Sequence, residues 1–307
     1  MLTIRRAFST ASRPFRLAIV GSGPAGFYTA HRLLKECPQI QIDMFDALPV
    51  PHGLVRFGVA PDHPEVKNVM TTFDKVAEDP RFRFFGNVPV GSSNNGLSIK
   101  DLRDNFHAVL LSYGASEDRK MGIPGEDLYG VESARTFVGW YNGHPSYRNL
   151  KLPLNDTDTA VVVGQGNVAL DVARILLSPI DELRKTDITE YALEALSKSR
   201  IKHVHVVGRR GPVQVSFTSK ELREQMSLPG VAFDADMDLI HHKEMLSGGS
   251  KDGADGLDLT FKERGIMPVS YSDWKKIEAA EFALGEKLGK PREKFTTVED
   301  MLAVLKS

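Results

Sequence analysis

The chain has 307 residues, enough for two domains with cores of their own. Its 39 basic residues are matched by 40 acidic ones, so the overall charge gives no polyanion signal and nucleic acid is set aside as a partner. The one cysteine, Cys37, excludes an internal disulfide and a Cys-x-x-Cys redox pair, and no run approaches the roughly 20 apolar residues of a membrane span.

No acid precedes Glu36. The opening MLTIRRAFSTASRPFR carries Arg5, Arg6, Arg13 and Arg16 among Thr3, Ser9, Thr10 and Ser12. Basic, hydroxyl-rich and acid-poor is the composition of a mitochondrial presequence, so residues 1–13 are read as targeting sequence and left out of the fold.

FRLAIV (15–20) reads as an apolar strand that ends at Gly21. Gly21-Ser22-Gly23-Pro24-Ala25-Gly26 then matches G-x-G-x-x-G at the start of a helix expected to run to about Cys37. The first glycine permits the turn, the second lets a pyrophosphate approach the backbone, and the third lets helix and strand pack closely. The helix N-terminus adds amide donors and a favourable dipole. A second strand, 41–45, ends at Asp46, about 20 residues beyond Gly26, where a carboxylate would bond ribose hydroxyls. Strand, helix and acid together make the motif a dinucleotide site.

The stretch Pro49–Pro64 is rich in proline and glycine, yet Leu54, Val55, Phe57 and Val59 are too apolar for a solvated excursion. A planar ligand packed on this loop would account for them. An amphipathic helix is expected over 65–80, a strand over 82–90, a short helix over 97–106 and a buried strand over 107–115. The alternation predicts an α/β fold with a doubly wound parallel sheet. Residues 116–156, with several turn dipeptides, read as the crossing into a second domain.

There Thr159–Val163 precedes Gly164-Gln165-Gly166-Asn167-Val168-Ala169, a second fingerprint of the form G-x-G-x-x-A, with a helix from Val168 to Leu177. A segment rich in charged and helix-forming residues (178–200) leads to a strand over 201–208, which ends at Arg209-Arg210. NAD sites want a carboxylate at that strand end and NADP sites a cation. Adjacent arginines offer forked donors matched to a 2′-phosphate, so the second nucleotide is read as NADP. Further on, 231–256 reads as an acidic segment and a linker, followed by two helices, the second with Thr297 near its cap. His241-His242 has no second ligand pair at helical spacing, and no metal site is assigned.

The motifs VGSGPAGFYTA, PVPHGLVRFGVAPDHPEVKNV, ARTFVGWYNGHP, VVVGQGNVALDVARIL and VGRRGPVQVSFTSKELRE, and later RGIMPVSYSDWKKIEAAEFALGEKLGKPREK, resemble the adrenodoxin reductase family, the mitochondrial NADPH–ferredoxin reductases. The resemblance is dense from about Phe15 to Pro229 and resumes at Gly265. It implies two Rossmann-like doubly wound domains, one for FAD and one for NADP. FAD would lie on Gly21, Gly23, Pro24, Ala25, Gly26, Asp46, Leu54 and Val90. NADPH would lie on Gly164, Gln165, Gly166, Asn167 and Val168, with Arg209 and Arg210 at the 2′-phosphate and Glu221 nearby. His63 would be a proton relay, and electrons would leave to a [2Fe–2S] ferredoxin in the mitochondrial matrix, at the inner-membrane side with peripheral membrane association. His52 stands where the family usually has phenylalanine, which puts one flavin-side contact in question.

By the same resemblance a long block is missing between Pro229 and Gly265, including basic residues that dock the ferredoxin and a segment that closes over the flavin. The expected organisation is then presequence 1–13, FAD domain 14–110, NADP domain 111–235, linker 236–256 and a C-terminal helical remnant of the FAD domain over 257–307, both nucleotide domains being incomplete. Three readings follow: an NADPH–ferredoxin reductase, a shortened splice or gene-model product that binds nucleotide without electron transfer, and a non-catalytic nucleotide-binding module. For these 307 residues alone, weak FAD retention and little turnover are expected.

Overall fold

A computed structural model describes residues 14–91, 96–115, 117–208, 215–234 and 269–306. The stretches read as presequence and linker, Arg209, Arg210 and the His241-His242 pair lie outside these described residues. The rest divides into two compact units.

The first unit takes the described residues of 14–53, 69–114 and 269–274. Strand β1 (Phe15–Val20) lies between β2 (Ile40–Phe45) and β4 (Ala108–Leu111), with β3 (Phe82–Phe85) beyond β2. All pairings are parallel, in the order β3-β2-β1-β4. Placing the first strand inside the sheet is the doubly wound arrangement, and it sets a crevice at the carboxyl ends where the strand order reverses. Val20 pairs with both Phe45 and Leu111, so these strands end level with one another, and the Gly21 amide donates to the Phe45 carbonyl at 2.8 Å.

Helix α1 (Pro24–Glu36) returns the chain from β1, and α3 (Met70–Ala77) packs beside it through Phe27 and Phe73, whose rings stack at 4.7 Å. Helix α4 (Ile99–Asn105) begins at Ser98, whose Oγ accepts from the amides of Lys100 and Asp101. The helix expected over 65–80 starts as a 3₁₀ turn, Pro64–Val69, and becomes α3 only at Met70. The strand expected over 82–90 stops at Phe85, because Gly86 pairs antiparallel with Val269 and Asn87 takes a left-handed φ of 58°. Strand β4 is shorter than 107–115 and only part-buried, since it forms the sheet edge.

The second unit takes the described residues of 54–68, 115–234 and 275–306. Short helix α2 (Leu54–Phe57) opens it. Parallel strands β5 (Thr159–Val163) and β6 (His203–Val207) flank α6 (Asn167–Leu177) in sequence. The stretch 116–156, read as turns, also contains α5 (Ala134–Tyr141), capped by Ser133, whose Oγ accepts from the Thr136 amide. Phe137, Trp140 and Tyr141 of α5 join Ile175 of α6 in a core. The charged stretch 178–200 supplies α7 (Ile180–Leu183) and α8 (Glu190–Ser197), and Leu183, Ala192 and Leu193 of these helices and Ile188 between them join the same core. Beyond lie α9 (Ser219–Met226), α10 (Tyr271–Lys287), whose first turn belongs to the other unit, and α11 (Val298–Ala303). Thr297 caps α11, its Oγ1 accepting from the Asp300 amide at 3.0 Å.

These boundaries differ from the expected ones in three places: 54–68 and 275–306 pack with the second fingerprint rather than the first, and 111–114 with the first rather than the second. Ion pairs explain the first two. Glu281, fully buried, accepts from Arg56 Nη2 (2.5 Å), from Arg292 Nε (2.8 Å) and Nη2 (2.5 Å), and from the Phe295 amide (2.8 Å). Asp187 receives Lys67 Nζ (2.6 Å) and Lys294 Nζ (3.1 Å). Burial pushes both carboxyls up, but the neighbouring cations outweigh it and hold each below the ordinary carboxylate range. Among the described residues no helix is long and apolar enough to cross a membrane.

Candidate nucleotide-binding sites

At the first fingerprint the three glycines have three different surroundings. Gly21 has φ +103°, and a Cβ there would lie 2.5 Å from the Ser112 carbonyl oxygen. At Gly26 a Cβ would lie 2.3 Å from the Gly21 carbonyl oxygen. A Cβ at Gly23 would meet nothing within 4 Å. The first and third glycines are therefore fixed by packing, and the middle one faces open space, as a pyrophosphate requires. Pro24 occupies the first turn of α1, where its missing amide costs nothing. Gly23 at the N-cap offers no side-chain acceptor, so the first-turn amides around Ala25 and Gly26 remain available to an anion.

Asp46 directly follows β2, as expected, but its carboxylate bonds the turn itself. Oδ2 accepts from the Ser22 amide (2.8 Å) and Ser22 Oγ (2.5 Å), and Oδ1 accepts from the Leu48 amide (2.9 Å). Burial raises this carboxyl above its ordinary value, and the bonds from Ser22 and Leu48 only partly oppose the shift. Val90 bridges Leu97 and packs against the cluster of Ala18, Val20 and Phe45, in the same unit as Asp46. Leu54 is 65% exposed and belongs to the second unit.

His52 carries a signal that the sequence did not give. It has φ 83°, a conformation that costs a side-chain-bearing residue about 1–3 kcal/mol. Its ring is buried in the aromatic core of the first unit, 5.3 Å from Phe27, 5.6 Å from Phe73 and 6.0 Å from Trp274.

The second fingerprint repeats the pattern. Gly164 has φ +140°, Gly166 caps α6 with no side-chain acceptor, and a Cβ at either would meet nothing within 4 Å. The third position is Ala169, which is buried. The Gln165 carbonyl accepts from the Ser216 amide (3.1 Å) and Asn167 Oδ1 from the Thr218 amide (2.8 Å), so the chain beyond β6 is stitched back onto the glycine turn. Val168 is exposed on the first turn of α6.

Glu221 and His63 meet in a charged cluster of the second unit. His63 Nε2 lies 2.8 Å from Glu224, and its Nδ1 4.0 Å from Glu221. Arg174, buried, donates to Asp62 (2.5 and 3.1 Å), Asp171 (2.7 Å) and Glu221 (3.2 Å). Burial alone would lower the guanidinium's pKa, but its bonds to Asp62 and Asp171 raise it, so it stays a cation. Ligand atoms of His63, Glu221 and Glu224 converge within 4.8 Å, a grouping the sequence reading did not anticipate because helix α9 supplies two members far from the third. Arg174 lies 3.2 Å from Glu221 and 3.9 Å from Glu224, and a cation so close disfavours a metal ion beside it.

Residues 15–234 match the pyridine nucleotide-disulphide oxidoreductase family. The chain is 58% identical over 222 residues to the mitochondrial NADPH:adrenodoxin oxidoreductase of Salvelinus fontinalis, a match covering 72% of this chain and 44% of that one. With the enzyme of the same name from Bos taurus it shares 59% over 223 residues, covering 73% and 44%. It thus spans about half the length of the curated relatives it matches. The solved structure of Mycobacterium tuberculosis FprA in complex with NADPH superposes with a TM-score of 0.81 at 30% identity, over 96% of this chain and 100% of that one. Two glycine fingerprints of the expected geometry and a match over most of the chain lead to one conclusion: the chain belongs to the pyridine nucleotide-disulphide oxidoreductase family.

Proposed function

We propose that the chain is a mitochondrial flavoprotein oxidoreductase of the NADPH–ferredoxin reductase type, with FAD at the first fingerprint and NADP at the second. The observation that carries this reading is the open Gly23 between two packed glycines, a cradle at a helix N-terminus shaped for a pyrophosphate. Bound FAD would supply the chemistry that accepts a hydride from a nicotinamide and passes it on as single electrons.

The chain's own residues would bind and orient. The first-turn amides of α1 would receive the pyrophosphate, and Asp46 would hold the turn in shape through Ser22 while presenting its carboxylate toward the ribose. Gly164 to Val168 would cradle the second pyrophosphate, with Arg209 and Arg210 on the 2′-phosphate and Glu221 nearby. His63, bonded to Glu224, is suited to hold and move a proton. The partner would be a [2Fe–2S] ferredoxin, and the place of action the matrix at the inner-membrane side, with peripheral membrane association. The relatives' names support the ferredoxin class and the mitochondrion.

Purification followed by an absorbance scan tests the proposal. A stoichiometric oxidised-flavin band that NADPH bleaches supports it. A chain that neither retains nor takes up FAD overturns it for this polypeptide and favours the reading of a shortened, catalytically impaired product. Arg209→Ala should raise the KM for NADPH about tenfold and leave NADH use unchanged, as loss of a charge-assisted phosphate bond predicts.

A further inference from the structure

The backbone at residues 52 and 53 presses on the first fingerprint. The His52 amide donates to the Ser22 carbonyl at 2.9 Å, and a Cβ at Gly53 would lie 3.1 Å from the Gly23 Cα. This segment therefore closes one side of the open glycine turn. It does so in a left-handed conformation at both residues, φ 83° and 47°. Glycine would adopt that conformation at position 52 without strain, so the histidine side chain must be what holds it.

The side chain, itself buried, is the first member of a part-buried chain of hydrogen bonds. The Tyr271 hydroxyl donates to Asp74 Oδ1 at 2.6 Å, which leaves its oxygen to accept from His52 Nε2–H at 3.1 Å. Each member comes from a different stretch: the turn after β2, helix α3, and the first turn of α10. Val269, two residues before Tyr271, is itself fixed to Gly86 by a pair of backbone bonds. A ring needed only to fill the core would not require a hydroxyl aligned with both a carboxylate and an imidazole nitrogen.

We propose that His52, Tyr271 and Asp74 are positioning residues for the nucleotide turn: the chain from Asp74 through Tyr271 fixes the imidazole, the imidazole fixes the left-handed backbone, and that backbone shapes the cradle at Ser22 and Gly23 for a dinucleotide pyrophosphate. The C-terminal segment thereby governs nucleotide affinity at the opposite end of the sequence. Only the ligand arm of the test rests on the function proposed above.

The test is residue-resolved amide exchange on the ligand-free chain, with ADP affinity measured beside it. Tyr271→Phe keeps the ring and removes the hydroxyl; His52→Leu removes the imidazole donor. Each should speed exchange of the amide at position 52 about tenfold relative to that of Ile19, and weaken ADP by a similar factor. Asp74→Asn, which still offers an oxygen to Tyr271, should stay near the parent, whereas Asp74→Ala should behave like Tyr271→Phe. If the variants lower the melting temperature but leave exchange at residue 52 at the parental rate, the three residues are core packing and the proposal falls. If the parent chain binds no ADP, the function proposed for the first fingerprint fails, and the exchange result still decides the positioning role.

Discussion

The two fingerprints share a strand, a glycine turn and a helix, yet their strands live in different surroundings. In the first unit β1 has a partner on each side, and Ala18 and Ile19 are fully buried. In the second, β5 pairs among the described residues with β6 alone, and Val161 and Val163 are 61% and 68% exposed. Their neighbours across the ladder, His205 and Val207, are exposed too. A fingerprint turn thus forms from local sequence, whereas burial of its strand depends on what flanks it. The units also differ in how they hold the end of the chain. The first takes Tyr271 and Trp274 into an aromatic cluster, and the second takes Glu281, Arg292 and Lys294 into buried ion pairs.

The largest test of this contrast is Glu281→Ala, which leaves two buried guanidinium groups without their shared carboxylate. Urea unfolding should show a loss of about 3–5 kcal/mol, and a loss below about 1 kcal/mol would break the distinction between the units. Next comes acid. His144 is lowered from 6.5 to about 4, first by burial and then by Arg135, and its Nδ1 accepts from the Ser146 amide. The unfolded chain therefore takes this proton first. The contribution is complete above pH 6.5 and is lost as pH falls toward 4, on the order of 3 kcal/mol in all. Stability measured across that range in His144→Asn should be correspondingly flatter.

Within the first fingerprint, Gly26→Ala should cost about 1–3 kcal/mol because its methyl meets backbone. Gly23→Ala should leave stability within about 0.5 kcal/mol while nucleotide affinity falls. Thermal melts with and without ADP separate the two. The smallest effects set strand against strand: Ile19→Val should cost about 0.5–1.5 kcal/mol, and Val163→Thr about 0.5 kcal/mol or less. Equal costs would mean that β5 is sealed as well as β1.

What the sequence made legible was what is encoded locally. Gly21, Gly26 and Gly164 occupy the positions and conformations their spacing implied, and the strands before them begin and end within a residue or two of expectation. What escaped was set at long range. Arg56 and Glu281 are 225 residues apart and leave no periodic trace, so neither the membership of 54–68 in the second unit nor that of 275–306 could be read. Helix α5 was hidden among turn dipeptides, because its apolar residues answer to α6 and α8 rather than to a repeat of their own. The same holds at the candidate site: Asp46 was placed correctly after its strand, but its bonds to Ser22 depend on the folded turn.

The pairing of Arg56 with Glu281 also bears on how the chain is made. A ribosome delivers residues at roughly 5–20 per second and in one direction. The segment 54–68 emerges with the strands of the first unit, yet its carboxylate partner Glu281 follows Arg56 by 225 residues. Until then the second unit has no Glu281 to receive its arginine, and the first has no Tyr271 or Trp274 to complete its aromatic cluster. Neither unit can finish until residues beyond 270 have emerged, so the nascent chain must stay unfolded in part through most of its synthesis.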